Sequence, residues 1–491
     1  MGIRPDVTPD SPFEEQPSIG LIGMGAMGSL YARCFSEAGW KKIYICDLPA
    51  KYDALKAKYE GGDSLIYRGN LRPLIPQSTG VPGIHVVKDG HLVSRVSDYI
   101  VYSVEAEYID RVVAEFGPST KVGAIVAGQT SVKAPEKAAF EKYLPEDVQI
   151  VSCHSLHGPT VSTAGQPLVI IRHRATDDAV KLVEQILAPL RSRYVYLSYE
   201  DHDTVTANTQ AVTHAAFLSM GTAWHCSLSY PWEHGLYVGG IETVKVNIML
   251  RIYSNKWHVY AGLAILNPSA RVQIDQYARS TTEIFKLMLA SDAAGLRARI
   301  YDARAKVFGY TKGNGNGDGG DHSPGSENGN GNGSGKTRAP ILLSEDILDH
   351  FSLGKKPAEE LSPSSRQSAP PNSHLSLLAM VDCWARLGIK PFEHLDLAAT
   401  PIFRMWIGVA EYLFRSEPRL DSAIHAALYE TSHRSDDLEF CVAARGWSQC
   451  ISFGSFELYK QRFMHTARFF ESRFEEATKV GSAMIEALRD D

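Results

Sequence analysis

The sequence lacks features that would point to a membrane, a nucleic acid or an oxidising compartment. Its 491 residues contain no run of 18 apolar side chains, which a bilayer-spanning helix needs. The 50 lysines and arginines are outnumbered by 56 aspartates and glutamates, which argues against phosphate-backbone binding as the main activity. Seven cysteines without CxxC or CxxxC pairs indicate reduced, buried thiols in a cytoplasmic protein. The first 17 residues, an acidic tail without an apolar core, resemble neither a signal nor a transit peptide.

Glycine is distributed unevenly along the chain. Ten of the forty glycines fall within residues 311–336, a segment without aromatic or aliphatic side chains. Such a segment buries no apolar surface that would offset the entropy lost on ordering. A Pro/Ser-rich stretch follows it, so we predict a linker over residues 311–372. About 30 flexible residues of this kind span roughly 30 Å.

The textures before and after this linker predict the fold class. Residues 18–199 alternate helical stretches with short apolar runs such as SIGLIG, KIYICD and DYIVYSV. Unalternated apolar runs separated by helices are typical of a mostly parallel sheet covered on both faces. Residues 200–310 and 373–491 are helical. The sequence therefore predicts an α/β domain of the Rossmann type followed by all-α regions.

The two helical regions share sequence. Residues 213–234 and 373–394 align without gaps at an offset of 160, with seven identities in 22 positions. The identities pair His214, Leu218, Met220, Trp224, Pro231, Glu233 and His234 with His374, Leu378, Met380, Trp384, Pro391, Glu393 and His394. Two unrelated amphipathic helices are the alternative, but an internal tandem duplication explains the match better.

A glycine-rich turn joins the first strand to the first helix. Gly23, Gly25 and Gly28 form the GxGxxG pattern, which permits a tight turn, close approach of a pyrophosphate and close helix packing. Asp47 ends the second strand 19 residues later, where it either binds a ribose or caps the next loop. It would repel a 2′-phosphate unless Lys51 offsets it. NADP and NAD therefore both remain possible cofactors.

Polar residues follow two later strands, at the sheet edge where such domains bind ligands. One strand ends in GQTSVK, with Gln129 and Ser131, and the next in SCHSLHGP, with His154 and His157. A histidine here can take a proton from a substrate hydroxyl as hydride leaves the same carbon. We expect His154 to be this base, with its ring held by Ser131, and His157 to be structural.

The first helical region adds further candidates. His202-Asp203 and His214 lie about a whole number of helical turns apart, although Asp203 also suits a cap or an ion pair. Lys245, Arg251 and Lys256 interrupt an otherwise apolar stretch. A cation there needs a partner, and an anionic substrate is one candidate beside snorkelling to water.

Together these motifs resemble the prephenate dehydrogenase family. The resemblance rests on GLIGMGAMGS, GQTSVK, SCHSLHGP, EDHDTVTANTQAVTHAAF and GGIETVKVNIMLRIYSNKWHVYAGLAILN. It implies prephenate as substrate, NADP as cofactor with NAD possible, and no metal. It assigns catalysis to His154 and Ser131, and substrate binding to Arg251, His214, Gln129 and Lys256. Cofactor contacts are then expected at Gly23, Gly25, Met27, Gly28, Asp47 and Ser103.

Two departures and two rival functions accompany the resemblance. The HPxxG that usually follows the family's catalytic histidine is absent, and Asp47 is the acid expected of NAD users. An arogenate dehydrogenase or a non-catalytic dinucleotide-sensing regulator are the alternative functions. At the offset of 160, Glu411 stands where Arg251 does. We therefore expect a structural second copy that forms a dimer-like core within a monomeric chain.

Overall fold

The computed structural model describes residues 3–61, 80–159, 161–310, 340–342, 346–353, 371–398 and 400–487. The chain divides into two compact units. The first comprises Met1–Thr206 with Leu266–Pro268, and the second comprises Ala207–Ile265 with Ser269–Asp491. Within the described ranges, no helix combines the length and the hydropathy that a bilayer crossing requires.

The first unit is built on an eight-stranded sheet. Its strands are β1 (Ile19–Ile22), β2 (Ile43–Cys46), β3 (Ile84–Val86), β4 (Tyr99–Tyr102), β5 (Ile125–Gly128), β6 (Gln149–Ser155), β7 (Pro167–Arg174) and β8 (Arg193–Tyr196). Their order is β3-β2-β1-β4-β5-β6-β7-β8, and all neighbours are parallel except β6 and β7. Every residue of β1, β4 and β5 is buried, because helices cover both faces. The predicted Rossmann-type sheet is confirmed.

Helices connect these strands. They are α1 (Ala26–Ala38), α2 (Tyr52–Lys56), α3 (Gly90–Val96), α4 (Ile109–Phe116), α5 (Ala134–Tyr143), α6 (Asp177–Leu187) and α7 (Tyr199–Thr206). The strand order reverses between β1 and β4, which pair directly. Open α/β sheets bind ligands beyond the carboxyl ends of such strands. Gly23 follows β1 and Ser103 follows β4, so both lie at this position.

The second unit is helical. Its helices are α8 (Val212–Cys226), α9 (Gly240–Tyr253), α10 (Trp257–Leu266), α11 (Pro268–Leu289), α12 (Ala293–Phe308), α13 (Asp346–Asp349), α14 (Leu375–Leu387), α15 (Pro391–Leu397), α16 (Pro401–Arg415), α17 (Glu417–Tyr429), α18 (Arg434–Phe453), α19 (Phe456–Phe470) and α20 (Phe474–Ala487). Helices from both sides of the predicted linker pack together, α8 on α18 and α12 on α14. The two helical segments therefore share one compact unit.

The division between the units falls inside a helical run. A π-helical turn over Ala207–Ala211 joins α7 to α8 without a loop. The first unit ends at Thr206, whereas the sequence placed the boundary at residue 200. Helix α7 belongs to the first unit because the Asp203 carboxylate accepts the backbone amides of Lys133 (2.7 Å) and Ala134 (2.8 Å).

Parts of the predicted tail and linker are packed. In the tail, Val7 is buried and the buried Gln16 side chain accepts the Lys41 amide at 2.9 Å. The glycine-rich segment lies outside the described residues, as do 343–345 and 354–370. The described remainder of the linker buries Leu342, Leu348 and Leu353 in the helical unit, because these side chains are apolar.

All seven cysteines are free thiols. Five of them are buried, as predicted, and Cys34 is half-buried. The expectation of a buried thiol is wrong for Cys226, which is exposed. Cys226 is the last residue of α8, where the chain leaves the core.

Candidate active site

The turn after β1 depends on two of its glycines. Gly23 has a φ of 98°, which favours glycine, and a Cβ there would lie 2.4 Å from the Ser103 carbonyl oxygen. A Cβ on Gly28 would lie 2.1 Å from the Gly23 carbonyl oxygen. Side chains at these positions would push α1 away from β1 and β4. Gly23 and Gly28 thus set the close packing that the motif predicts.

Gly25 differs from the other two glycines. It is exposed, and a Cβ there would meet no atom within 4 Å among the described residues. Gly25 precedes α1 and supplies no side-chain cap, so the first amides of this 13-residue helix have no side-chain acceptor. Free amides beside an open backbone position suit a pyrophosphate. The turn therefore fits a dinucleotide, with Met27 half-buried on the same helix.

Asp47 holds the glycine-rich turn. Its carboxylate accepts the amides of Met24 at 3.1 Å and Leu48 at 2.7 Å. Lys51 Nζ lies 3.0 Å from the same carboxylate. Of the two roles considered for Asp47, the loop cap is thus present in the structure. Because Lys51 neutralises the carboxylate, Asp47 is a weaker obstacle to a 2′-phosphate than a bare acid would be.

Two predicted residues meet beyond β4 and β5. Ser103 Oγ donates to Gln129 Oε1 at 2.8 Å, which joins a predicted cofactor contact to a predicted substrate contact. Ser131 is half-buried in the same loop. Among the described residues, it makes no hydrogen bond to His154. The prediction that Ser131 holds the His154 ring is therefore wrong, because another side chain occupies that position.

That side chain is His202. His154 Nδ1 lies 2.8 Å from His202 Nε2, and His202 Nδ1 lies 2.9 Å from Asp203 Oδ1. Both histidines are buried, at 8 % and 0 % exposure. The three residues form a continuous relay from β6 to α7. Sequence reasoning noted His202 and Asp203 without joining them to His154.

The relay sets the position of each proton. Both Asp203 oxygens accept backbone amides, so this carboxylate accepts the Nδ1–H of His202. His202 Nε2 then accepts the Nδ1–H of His154. His154 Nε2 is left with its lone pair, and it has no hydrogen-bond partner in the described part of the chain. This atom is therefore the basic end of the relay.

Burial tunes the relay. It lowers the pKa of His154 and His202 well below the ordinary value, so both rings are neutral near pH 7. It also raises the pKa of Asp203 to about 6, against the opposing effect of the two backbone amides. Near pH 7 Asp203 is mostly ionised and both histidines are neutral. This is the state in which His154 accepts a proton.

A buried ion pair supports the relay from below. Lys133 and Glu136 are wholly buried, with Nζ 2.8 Å from Oε2. Lys133 Nζ also donates to the Gly128 and Cys153 carbonyls, each at 2.9 Å. The pair thus joins α5 to the ends of β5 and β6, one residue before His154. The sequence analysis missed this pair, although its i,i+3 spacing at a helix start was a usable signal.

The remaining predicted site residues lie in the helical unit. His214 on α8 packs its ring against Tyr260, with centroids 4.7 Å apart, and burial lowers its pKa to about 4. Its Nδ1 is buried without a hydrogen-bond partner among the described residues. Arg251 is half-buried at the end of α9 and donates to Ser482 Oγ at 3.2 Å. Lys256 is exposed in the next turn.

The third cation of that stretch is committed elsewhere. Lys245 is buried, with Nζ 3.0 Å from Glu242 Oε1 and 3.0 Å from His374 Nδ1. These partners satisfy its charge within the helical unit. Lys245 therefore needs no anionic substrate to explain its burial.

Known proteins resemble this chain over nearly its whole length. A family model, described as a 6-phosphogluconate dehydrogenase C-terminal domain, matches residues 211–316 and 331–490. A "Probable prephenate dehydrogenase" (NADP(+)) of Schizosaccharomyces pombe is 50 % identical over 97 % of this chain and 98 % of its own. The "Prephenate dehydrogenase" (NADP(+)) of Saccharomyces cerevisiae is 48 % identical over 96 % and 93 %. A "Probable arogenate/prephenate dehydrogenase" of Methanocaldococcus jannaschii is 23 % identical over 46 % and 51 %. The chain belongs to the prephenate dehydrogenase family.

Proposed function

We propose that this protein catalyses the NADP-dependent oxidative decarboxylation of prephenate to 4-hydroxyphenylpyruvate, in tyrosine biosynthesis. The observation that carries the mechanism is the relay of His154, His202 and Asp203, with a free lone pair on His154 Nε2. Both curated fungal relatives carry this activity and NADP in their names. A non-catalytic sensor of dinucleotides would need no such relay.

The chemistry requires one base. When bound, NADP takes a hydride from the carbinol carbon of prephenate. His154 Nε2 accepts the hydroxyl proton of the same carbon, and the bond to the ring carboxylate breaks to release CO2. The electrons of that bond complete the aromatic ring, which drives the reaction. The positive charge on His154 is stabilised through His202 by the Asp203 carboxylate.

The cofactor is held by the turn after β1. We assign its pyrophosphate to the first amides of α1 beside Gly25, with Gly23 and Gly28 permitting the close packing. We assign its 2′-phosphate to the neighbourhood of Lys51, whose ammonium offsets Asp47. Ser103 and Met27 stay predicted contacts of the same cofactor.

The function is tested by following nicotinamide absorbance with purified protein. We expect prephenate-dependent reduction of NADP, with slower reduction of NAD and slower turnover of arogenate. Faster turnover of arogenate would make the protein an arogenate dehydrogenase. Dinucleotide binding without turnover of either substrate would make it a sensor.

For substrate binding we propose that Arg251 pairs with a carboxylate of prephenate, and we keep His214, Gln129 and Lys256 as further contacts. In the described part of the chain, Arg251 forms no ion pair with an acidic side chain. We expect Arg251→Ala to raise the KM for prephenate about 10- to 100-fold, because a charged hydrogen bond is worth about 1.5–3 kcal/mol. Arg279→Ala, which removes an exposed cation paired with Asp275, is the matched control. An unchanged KM in Arg251→Ala would remove this residue from the site.

We further propose that the helical unit is a tandem duplication that forms a dimer-like core within one chain. Helices α8 to α12 correspond in order to α14 and α16 to α19. At the offset of 160, Gly240 and Trp257, which begin α9 and α10, correspond to Thr400 and Glu417, at the starts of α16 and α17.

Reciprocal packing supports the same proposal. Helix α8 contacts α18, where Trp447 Nε1 donates to Thr222 Oγ1 at 2.9 Å. Helix α14 contacts α11, where Tyr277 donates its hydroxyl to the Ser376 carbonyl at 3.1 Å. Each segment thus packs its first helix against the fourth long helix of the other. Two-fold dimers exchange contacts in this way.

We expect a solution mass near the 54.0 kDa of one chain, because the core is already paired internally. Light scattering coupled to size-exclusion chromatography measures this directly. A mass of twice that value would overturn the monomer. We also place the protein in the cytoplasm, since its seven thiols are free and a reducing compartment keeps them so.

A further inference from the structure

The π-helical turn between α7 and α8 holds a buried polar side chain. This turn covers Ala207–Ala211, and π turns inside α-helices occur frequently at functional sites. Asn208 within it is 5 % exposed. Since a buried amide must be hydrogen-bonded, its partners determine how the turn is held.

Asn208 is held from two sides within the helical unit. Gln273 Nε2 on α11 donates to Asn208 Oδ1. Asn208 Nδ2 in turn donates to His394 Nε2 on α15, at 2.9 Å. His394 belongs to the C-terminal helical segment, 186 residues away in sequence.

The direction of these bonds defines the state of His394. Because Gln273 donates to the Asn208 oxygen, the Asn208 nitrogen is the donor toward the ring. His394 Nε2 must therefore accept, and its proton lies on Nδ1. His394 Nδ1 and Gln273 Oε1 are buried without hydrogen-bond partners among the described residues. Unpaired buried groups cost stability, so maximal stability does not explain this arrangement.

The same helical run carries the relay. His202 and Asp203 lie one and a half turns before Asn208, in α7. Asn267, just before α11, donates to the Asp203 carbonyl at 2.8 Å and so ties down this end of the run. Gln273, six residues later on the same strip of chain, ties down Asn208. Of these two ends, the Asn208 end also depends on the C-terminal segment, through His394.

We propose that His394 is a positioning residue for catalysis. By accepting from Asn208 it holds the π turn, and the turn keeps α7 in the rotation that aligns His202 with His154. The C-terminal segment then contributes to turnover through one histidine, beyond its role as a packing partner. This inference rests on the proposed function.

The test compares three histidine variants by their kcat and KM for prephenate with NADP. His394→Phe keeps a ring of similar size but cannot accept a hydrogen bond. We expect it to lower kcat about 10- to 100-fold while KM changes less than about 2-fold, as for a small misplacement of catalytic groups. His394→Gln, whose amide oxygen accepts from Asn208, is expected to recover most of that loss. His234→Phe is the matched control, since His234 is the exposed counterpart at the offset of 160.

Each outcome decides the proposal. A kcat in His394→Phe within about 3-fold of that in His234→Phe would overturn it, as would an equal loss in His394→Gln. If His394→Phe does not fold, Gln273→Met decides instead, because it removes the other hold on Asn208. A lowered kcat with unchanged KM in that variant supports the proposal, and an unchanged kcat overturns it. Absent turnover in the unmodified protein would instead refute the proposed function itself.

Discussion

His154→Asn is expected to lower kcat for prephenate by about 10²- to 10⁴-fold, the range that general-base catalysis contributes. Asparagine has no basic atom at the position of Nε2, so the substrate hydroxyl loses its proton acceptor. KM for prephenate should change little, because the asparagine side chain still offers hydrogen-bonding atoms. Steady-state kinetics with saturating NADP measure both constants.

The neighbouring histidine supplies the control. His157 follows His154 by three residues, is half-buried, and its Nδ1 faces the Gly158 carbonyl at 3.0 Å. His157→Asn should leave kcat within about 3-fold, since this residue is outside the relay. Near-normal turnover in His154→Asn, or an equal loss in His157→Asn, would contradict the assignment of the base.

The pH profile distinguishes a relay from an isolated histidine. The pKa of Asp203 is raised by burial to about 6, whereas those of His154 and His202 are lowered. As the pH falls through about 6, Asp203 takes a proton and no longer accepts from His202, so the order of protons in the relay is lost. We therefore expect kcat to fall on the acid side near pH 6. The residual rate of His154→Asn should be flat there, because it does not use the relay.

Much of the fold was predictable because its signals are local. The unbroken apolar runs of β1, β4 and β5 reflect burial on both faces, and each can be recognised from four residues. The glycine pattern likewise lies within six residues. Its contacts confirm the tight turn at Gly23 and the close packing at Gly28, while Gly25 remains open.

The site was less predictable because its partners are distant in sequence. His154 and His202 are 48 residues apart, and Asp203 caps an amide 70 residues before it. Nothing in the local pattern distinguishes His202 as a ligand of another ring from His202 as a core residue. Ser131 was chosen as the partner of His154 because both follow adjacent strands. The sheet places them on neighbouring ends, but α7 brings a better hydrogen-bonding group to the same ring.

Lys133→Met is expected to destabilise the first unit by about 3–5 kcal/mol, because it leaves Glu136 as an unpaired buried carboxylate. The Gly128 and Cys153 carbonyls lose their donor in the same variant. Amide hydrogen exchange in β5 and β6 measures this loss for the first unit separately from the helical one. Lys137→Met is the matched control four residues later. Lys137 pairs with Glu200 at 2.7 Å near the surface, and such a pair is worth about 0–1 kcal/mol.

The double variant Lys133→Met/Glu136→Leu separates two explanations for the buried pair. If the cost comes from the stranded carboxylate, the double variant should recover much of the lost stability, because apolar side chains of similar volume replace buried ion pairs at little cost. A Cβ on Gly128 would lie 2.1 Å from Glu136 Oε2, so the carboxylate lies tightly against β5. Ser152 and Thr130 also bond this carboxylate. If kcat stays low in the recovered double variant, the pair serves to align His154 at the end of β6. If kcat recovers with stability, the pair acts only through the fold.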